Sequence, residues 1–169
     1  ATATPLRAEC LRFRGIIAER SEGSATAMQY YAEALQQFQI CGDRLGEIRV
    51  QTNLTLLAFW EAEYSRTLHS AAQTLSLART AEVVENQIIA LLLKGDALML
   101  MADYTEAEAA FEQALQLALR CGNRNLAVLV QASEATLLYT RGNISAAASY
   151  SLKIAQNLPE YVDPHASLF

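Results

Sequence analysis

A chain of 169 residues with 52% hydrophobic and 18% charged side chains carries apolar material for one domain core or one short repeat array. It has only 7 glycines and 3 prolines, and alanine and leucine dominate; this favours helix, because glycine and proline are the costly residues inside one. A formal charge of −5 excludes the basic stripe that a nucleic-acid surface needs, so no direct DNA or RNA contact is expected of this domain.

The most apolar stretch, Ile88 to Met101, is broken by Lys94, Gly95 and Asp96 and is too short and too polar to span a bilayer. The chain opens Ala1-Thr2-Ala3-Thr4-Pro5, without a methionine or a secretory leader, and reads as a cytoplasmic piece of something longer. Cys10, Cys41 and Cys121 are an odd set, expected as reduced thiols. Two glycosylation sequons, Asn53-Leu54-Thr55 and Asn143-Ile144-Ser145, fall in or beside helical segments and carry no message without secretion.

Taken in chain order, the patterning predicts eight helices. The first two, about 6–20 and 25–40, are separated by the tight turn Glu22-Gly23-Ser24. Gly42 is placed to end the second in the left-handed conformation, with Asp43 capping a third at about 44–61. A fourth, about 65–80, runs into Thr80-Ala81-Glu82-Val83, a junction without glycine, before a fifth at about 84–101. Thr105-Glu106-Ala107-Glu108 reads as a capping box opening a sixth at about 105–120. Gly122 and Asn123 repeat the stop-and-cap signal ahead of a seventh at about 124–140, and Arg141-Gly142-Asn143 turns into an eighth at about 144–157, closed by Pro159.

Written in rows of forty, the chain repeats itself. Cys41-Gly42-Asp43-Arg44 returns as Cys121-Gly122-Asn123-Arg124, and Val50-Gln51 as Val130-Gln131. Leu11, Gly15, Ala27, Ala34, Leu35 and Gln36 return as Leu91, Gly95, Ala107, Ala114, Leu115 and Gln116, with Tyr31 answered by Phe111. A period of this length marks a solenoid, here four hairpins at about 1–40, 41–80, 81–120 and 121–159, followed by a tail at 160–169. The small residues let antiparallel helices approach closely, and the aromatic fills the space between them. The second row is degenerate, with Thr55, Thr67, Ala71 and Thr74 in these columns.

These residues resemble the tetratricopeptide repeat. Its pattern of a small residue, alanine, an aromatic, alanine and proline is matched by Gly95, Ala107, Phe111 and Ala114, and by Ala135, Ala147 and Pro159. The unit is longer than the usual ~34 residues of that family. With its Cys-Gly-Asp-Arg turns and the Leu77-Ala78-Arg79 helix end, it is similar in style to the arrays of LuxR-type activators and signal-transducing ATPases of bacteria. The resemblance implies an all-α right-handed superhelix whose first helices line a concave groove.

Carried over column by column, that groove is expected to present Glu9, Arg12, Ile16 and Glu19, and then Arg49, Thr52, Leu56, Phe59 and Trp60. Further along come Ile89, Leu92, Asp96, Met99 and Leu100, and finally Leu129, Ala132, Thr136, Tyr139 and Thr140. Apolar residues at helical spacing also describe ordinary core, whereas Trp60 and Tyr139 have polar tips that want water or a partner.

Neither His69 nor His165 has a helical metal partner, no phosphate loop or nucleophile motif occurs, and no cofactor or catalytic residue is expected. The expected function is a non-catalytic sensor or protein-interaction module of a larger bacterial transcriptional regulator, binding a protein, a peptide or a small-molecule inducer. The alternative is a free-standing adaptor for a partner's peptide or C-terminus. The last helix, rich in alanine with Ile154 and Leu158, is an uncapped end that could pair two copies into a homodimer or be covered by the tail.

Overall fold

The computed structural model describes residues 4–157, all of them in helices or the turns between helices. The elements are α1 (Pro5–Ser21), α2 (Ser24–Cys41), α3 (Arg44–Trp60), α4 (Tyr64–Thr80), α5 (Val84–Leu100), α6 (Tyr104–Arg120), α7 (Arg124–Thr140) and α8 (Ile144–Asn157). They stack as successive antiparallel pairs into a helical repeat solenoid. Pro159, the tail and His165 lie outside the described residues.

One turn design recurs at every junction. The amide donated by Gly23, Asp43, Glu63, Val83, Asp103, Asn123 and Asn143 in turn is accepted by the carbonyl five residues earlier, at 2.8–3.0 Å. This bond gathers the loose carbonyls of one helix end while the same residue starts the next helix. The half-unit is therefore a helix plus a turn of two or three residues, and from Ser24 onward the halves are equal in length. From the second junction onward the residue before each cap is left-handed. Gly42, Gly122 and Gly142 take that conformation freely, but Ala62, Glu82 and Ala102 adopt it too, with φ of 57°, 57° and 64°.

One junction is explained here and one reading of the sequence is corrected. The glycine-free junction at Thr80 to Val83 is an ordinary turn of the series, with Glu82 in the glycine's conformation. The sixth helix is opened by Asp103, whose carboxylate accepts from the Glu106 amide at 3.4 Å, and Thr105 lies inside the helix. Asp103 falls in the capping register of Asp43, Asn123 and Asn143, each of which accepts an amide in the same way.

Rings set into glycine notches hold the pairs together. A Cβ on Gly15 would lie 2.4 Å from the Tyr31 ring, one on Gly95 2.4 Å from Phe111, and one on Gly46 2.1 Å from Phe38. All three rings are buried. In the second hairpin the ring is replaced by Ala71, and the space is organised by threonines. Thr55 and Thr74 approach oxygen to oxygen at 3.2 Å, and each donates to a carbonyl one turn back on its own helix. Buried hydroxyls are thereby satisfied without a partner chain.

Gly95→Ala is expected to cost about 1–3 kcal/mol, because the added methyl must displace Phe111 from a filled site. Equilibrium urea unfolding checks this. Phe111→Leu in the same background should recover part of the loss, and an unchanged midpoint in Gly95→Ala would show that the notch is loose.

Candidate functional site

The odd-numbered helices form one wall. The backbones of α1 and α3, of α3 and α5 and of α5 and α7 come close, whereas no two even-numbered helices do so among the described residues; α2 and α4 meet through a long side chain, Arg66 donating to the Met28 sulfur at 3.3 Å. Closer spacing on the odd side makes that side concave and splays the even helices outward. The groove expected from the sequence therefore lies along α1, α3, α5 and α7.

Its first end carries a shared carboxylate. Glu9 accepts from Arg12 through two nitrogens at 2.8 and 3.1 Å, and Arg49 stands 3.9 Å away across the α1–α3 seam. Bonding to Arg12, more than the Coulombic pull of either arginine, holds the Glu9 carboxyl below the usual range against the opposing effect of burial. Arg12 also donates to Asn53 at 3.4 Å and lies over the Phe13 ring, so its guanidinium is largely committed. Arg49 is held more loosely, at the limit of ion-pair distance from Glu9 and with its side chain 49% exposed. Ile16 is half-buried, and Glu19 accepts from the Tyr31 hydroxyl.

The middle of the wall is partly closed. Thr52 is buried, donating to the Ile48 carbonyl and accepting from Asn86 of α5, each at 2.8 Å. Met99 is buried as well, at 8% exposure. These two residues build the wall and do not present a surface. Leu56, Ile89, Leu92 and Asp96 are half-buried. Asp96 has Ser133 of α7 in hydrogen-bonding reach and no cation acting on it; burial pushes its carboxyl up to about 6.

The rim at the C-terminal ends of these helices is aromatic and open. Trp60 is 62% exposed and Tyr139 64%, with Leu100 and Leu129 also presented to solvent. Ala132, Thr136 and Thr140 are exposed on α7. Phe59 is half-buried, its ring tilted against Tyr64 at 6.2 Å. Trp60, Arg49 and Tyr139 are thus the most available of the expected groove residues.

Sequence reasoning did not single out a cleft of about 500 Å³ lined by Glu108, Glu134, Leu137, Leu138, Arg141, Tyr150 and their neighbours. There the Tyr150 hydroxyl donates to Glu134, and Arg141 pairs with Glu108 at 3.1 Å. Burial, supported by Glu112 and Glu108 nearby, raises the Glu134 carboxyl against the lowering effect of Tyr150. The signal that could have found it is register: Glu134 and Tyr150 occupy the columns of Arg14 and Tyr30, which also pair, at 2.6 Å.

His69 is exposed and meets Gln73 at 3.0 Å. Among the described residues no three His, Cys, Asp or Glu side chains are grouped to hold a metal ion, and Cys10, Cys41 and Cys121 are unbridged. No described helix is long and apolar enough to cross a membrane.

Fold and groove together define a helical repeat solenoid of the tetratricopeptide type. Among solved structures, the chain is similar to the Signal Transduction ATPase with Numerous Domains (STAND) protein with a tetratricopeptide repeat sensor from Pyrococcus horikoshii. The TM-score is 0.77 at 20% identity, over 90% of this chain and 24% of that one. The chain therefore spans about a quarter of that protein's length, and at this identity the likeness is one of fold. No protein-family model matches the sequence, and no curated protein is similar to it.

Asp96 gives a pH test of the wall. Its folded value of about 6 lies above the ordinary 3.8, so the native state favours the protonated form. The stability this confers is fully present below the ordinary value and is lost as pH rises through about 6. Asp96→Asn, neutral throughout, should therefore exceed the parent by about 2 kcal/mol at neutral pH, with the gap closing on acidification. Parallel stability profiles from urea melts across this range would show that Asp96 is well solvated.

Proposed function

We propose that this chain is a non-catalytic binding module whose groove, along α1, α3, α5 and α7, receives a peptide or other partner. In this reading it serves as the sensor or protein-interaction domain of a larger bacterial transcriptional regulator and works in the cytoplasm. The observation that carries the proposal is the inner wall itself. Four helices stand side by side with Arg49, only loosely paired with Glu9 and half-exposed, at one end of the wall and Trp60 and Tyr139 standing free along its rim. An apolar, partly aromatic concavity with a few oriented polar groups is the usual form of a recognition site.

The solved neighbour supports the same reading, because its array is described as a sensor within a signal-transducing ATPase. Its remaining length offers a setting in which binding by one segment is read out by another. Catalytic chemistry is not needed for such a role; a partner that binds one arrangement of the array better than another is sufficient.

A free-standing adaptor for a partner's C-terminal carboxylate fits less well. Such a clamp needs several uncommitted cations, whereas Arg12 is already bonded to Glu9 and Asn53, and Arg49 also leans toward Glu9.

Trp60 is the sole tryptophan, and it supplies the test. Titrating a peptide library against the protein while following indole emission should select ligands that shift it. For those ligands Arg49→Ala, followed by anisotropy of labelled peptide, is expected to weaken binding by about tenfold, the order of one charge-assisted hydrogen bond. Ligands whose affinity is the same in Arg49→Ala and Trp60→Ala would place the binding site off the groove.

A further inference from the structure

The outer helices stand apart, and the array bridges one of the gaps between them with its own side chain. α2 and α4 both pack on α3 without their backbones meeting. Arg66 of α4, held by Glu63 at 2.6 Å, reaches across and donates to the Met28 sulfur of α2 at 3.3 Å. Met28 and Leu54 of α3 lie partly buried against the core beneath this arm.

Two rows on, the equivalent gap is the cleft of about 500 Å³ between α6, α7 and α8. Each position that shaped the bridge has changed its chemistry there. Arg66 is answered by Ala146, and its partner Glu63 by Asn143. Met28 is answered by Glu108, and Leu54 by Glu134. The side chain long enough to cross is gone, and two carboxylates stand in the columns of two apolar residues.

The first hairpin supplies a second comparison. Tyr30, in the column of Tyr150, carries the Arg14 guanidinium 4.4 Å over its ring. Glu134 occupies the column of Arg14, so a cation is again exchanged for a carboxylate. The cations nearby do not make up for it. Arg141 is spent on Glu108 at 3.1 Å, Lys153 is exposed, and no ion pair among the described residues includes Glu134. The half-buried Glu134 carboxylate accepts from the Tyr150 hydroxyl and is repelled by Glu108 and Glu112. Ionised, it can accept further donors.

We infer that the cleft between α6, α7 and α8 binds a small alkylguanidinium, its charge set between Glu134 and the Tyr150 ring and its aliphatic stem on Leu137 and Leu138. Such a ligand restores from outside the two features that Arg66 and Arg14 supply from within, a guanidinium across the gap and a cation against the tyrosine. The volume suits a small molecule. This site is separate from the groove. Glu134 and Leu138 each stand two residues beyond a groove position, Ala132 and Thr136, which is about 200° around α7.

The full chain, isotope-labelled, is titrated with n-butylguanidinium chloride while its amide NMR spectrum is followed. Saturable shifts confined to α6, α7 and α8 are expected, with a dissociation constant of about 1 mM, as befits so small a ligand. n-Butylurea, the same shape without the charge, should bind at least about tenfold more weakly, as should n-butylguanidinium to Glu134→Gln. Ala146→Arg returns the arm of the Arg66 column and should also weaken binding about tenfold by filling the cleft. Glu82→Gln, which removes one charge at a distant turn, should bind as the parent does. Equal affinity for the urea and the guanidinium would overturn the inference, leaving an apolar cleft without charge recognition. So would unchanged affinity in both Glu134→Gln and Ala146→Arg, or no saturable shift at about ten times the expected constant. Acetyl-arginine amide offers the same group within a peptide. Its binding more tightly than n-butylguanidinium would overturn the small-molecule source in favour of a peptide arginine.

Discussion

A ring pressed into the notch of a glycine on the facing helix is the contact from which the rest of this structure follows. Tyr31 on Gly15, Phe38 on Gly46 and Phe111 on Gly95 each bring two backbones closer than any side chain at the glycine would allow. Where a column lacks the ring, the opposite column changes size with it. Phe38 and Gly46 at one junction are answered by Ala118 and Leu126 two rows later, Ala118 inside the packed core and Leu126 partly buried against it. Between these two junctions volume is held nearly constant while the two halves exchange size, as close packing requires. Repeated at equal intervals, a constant contact gives a constant spacing, and the array curves toward its inner helices.

That curvature gives the groove its character. Because the inner helices touch, side chains that point straight at a neighbour are consumed in the wall, as Thr52 and Met99 are. Trp60, one step around the helix from such positions, remains in solvent, and Tyr139, in the column of Met99, is exposed because no inner helix is described beyond α7. A binding surface made this way is set by backbone geometry and can change its chemistry without changing its shape. The groove here has one available cation at one end, a half-buried carboxylate in its middle and an aromatic rim.

Much of this could be read before any coordinates. The return of Cys-Gly-Asp-Arg as Cys-Gly-Asn-Arg, and of Gly15 and Ala27 as Gly95 and Ala107, gave the fold and nearly every helix boundary, because turn residues and small packing residues act locally. The left-handed turns at Ala62, Glu82 and Ala102 were illegible, since no side chain there asks for that conformation. The surrounding helices impose it. Thr105 misled because a capping motif describes a preference among neighbours, and Asp103, two residues earlier, had the stronger claim. The site was less legible than the fold. Partners such as Asn53 for Arg12, Asn86 for Thr52 and Ser133 for Asp96 depend on how far one hairpin slides against the next, and no single helix encodes that distance.

The most direct test transplants one junction into another. Phe38→Ala alone should cost about 3–5 kcal/mol by urea unfolding, as expected for a large core side chain cut to a methyl. Combining it with Gly46→Leu reproduces the pairing of Ala118 with Leu126, and the account predicts that the double variant recovers at least half of that loss. Gly46→Leu alone should be more damaging than in the double variant. Purely additive losses, with the double variant the least stable of all, would contradict the claim that exchangeable volume across the notch sets the spacing of the array.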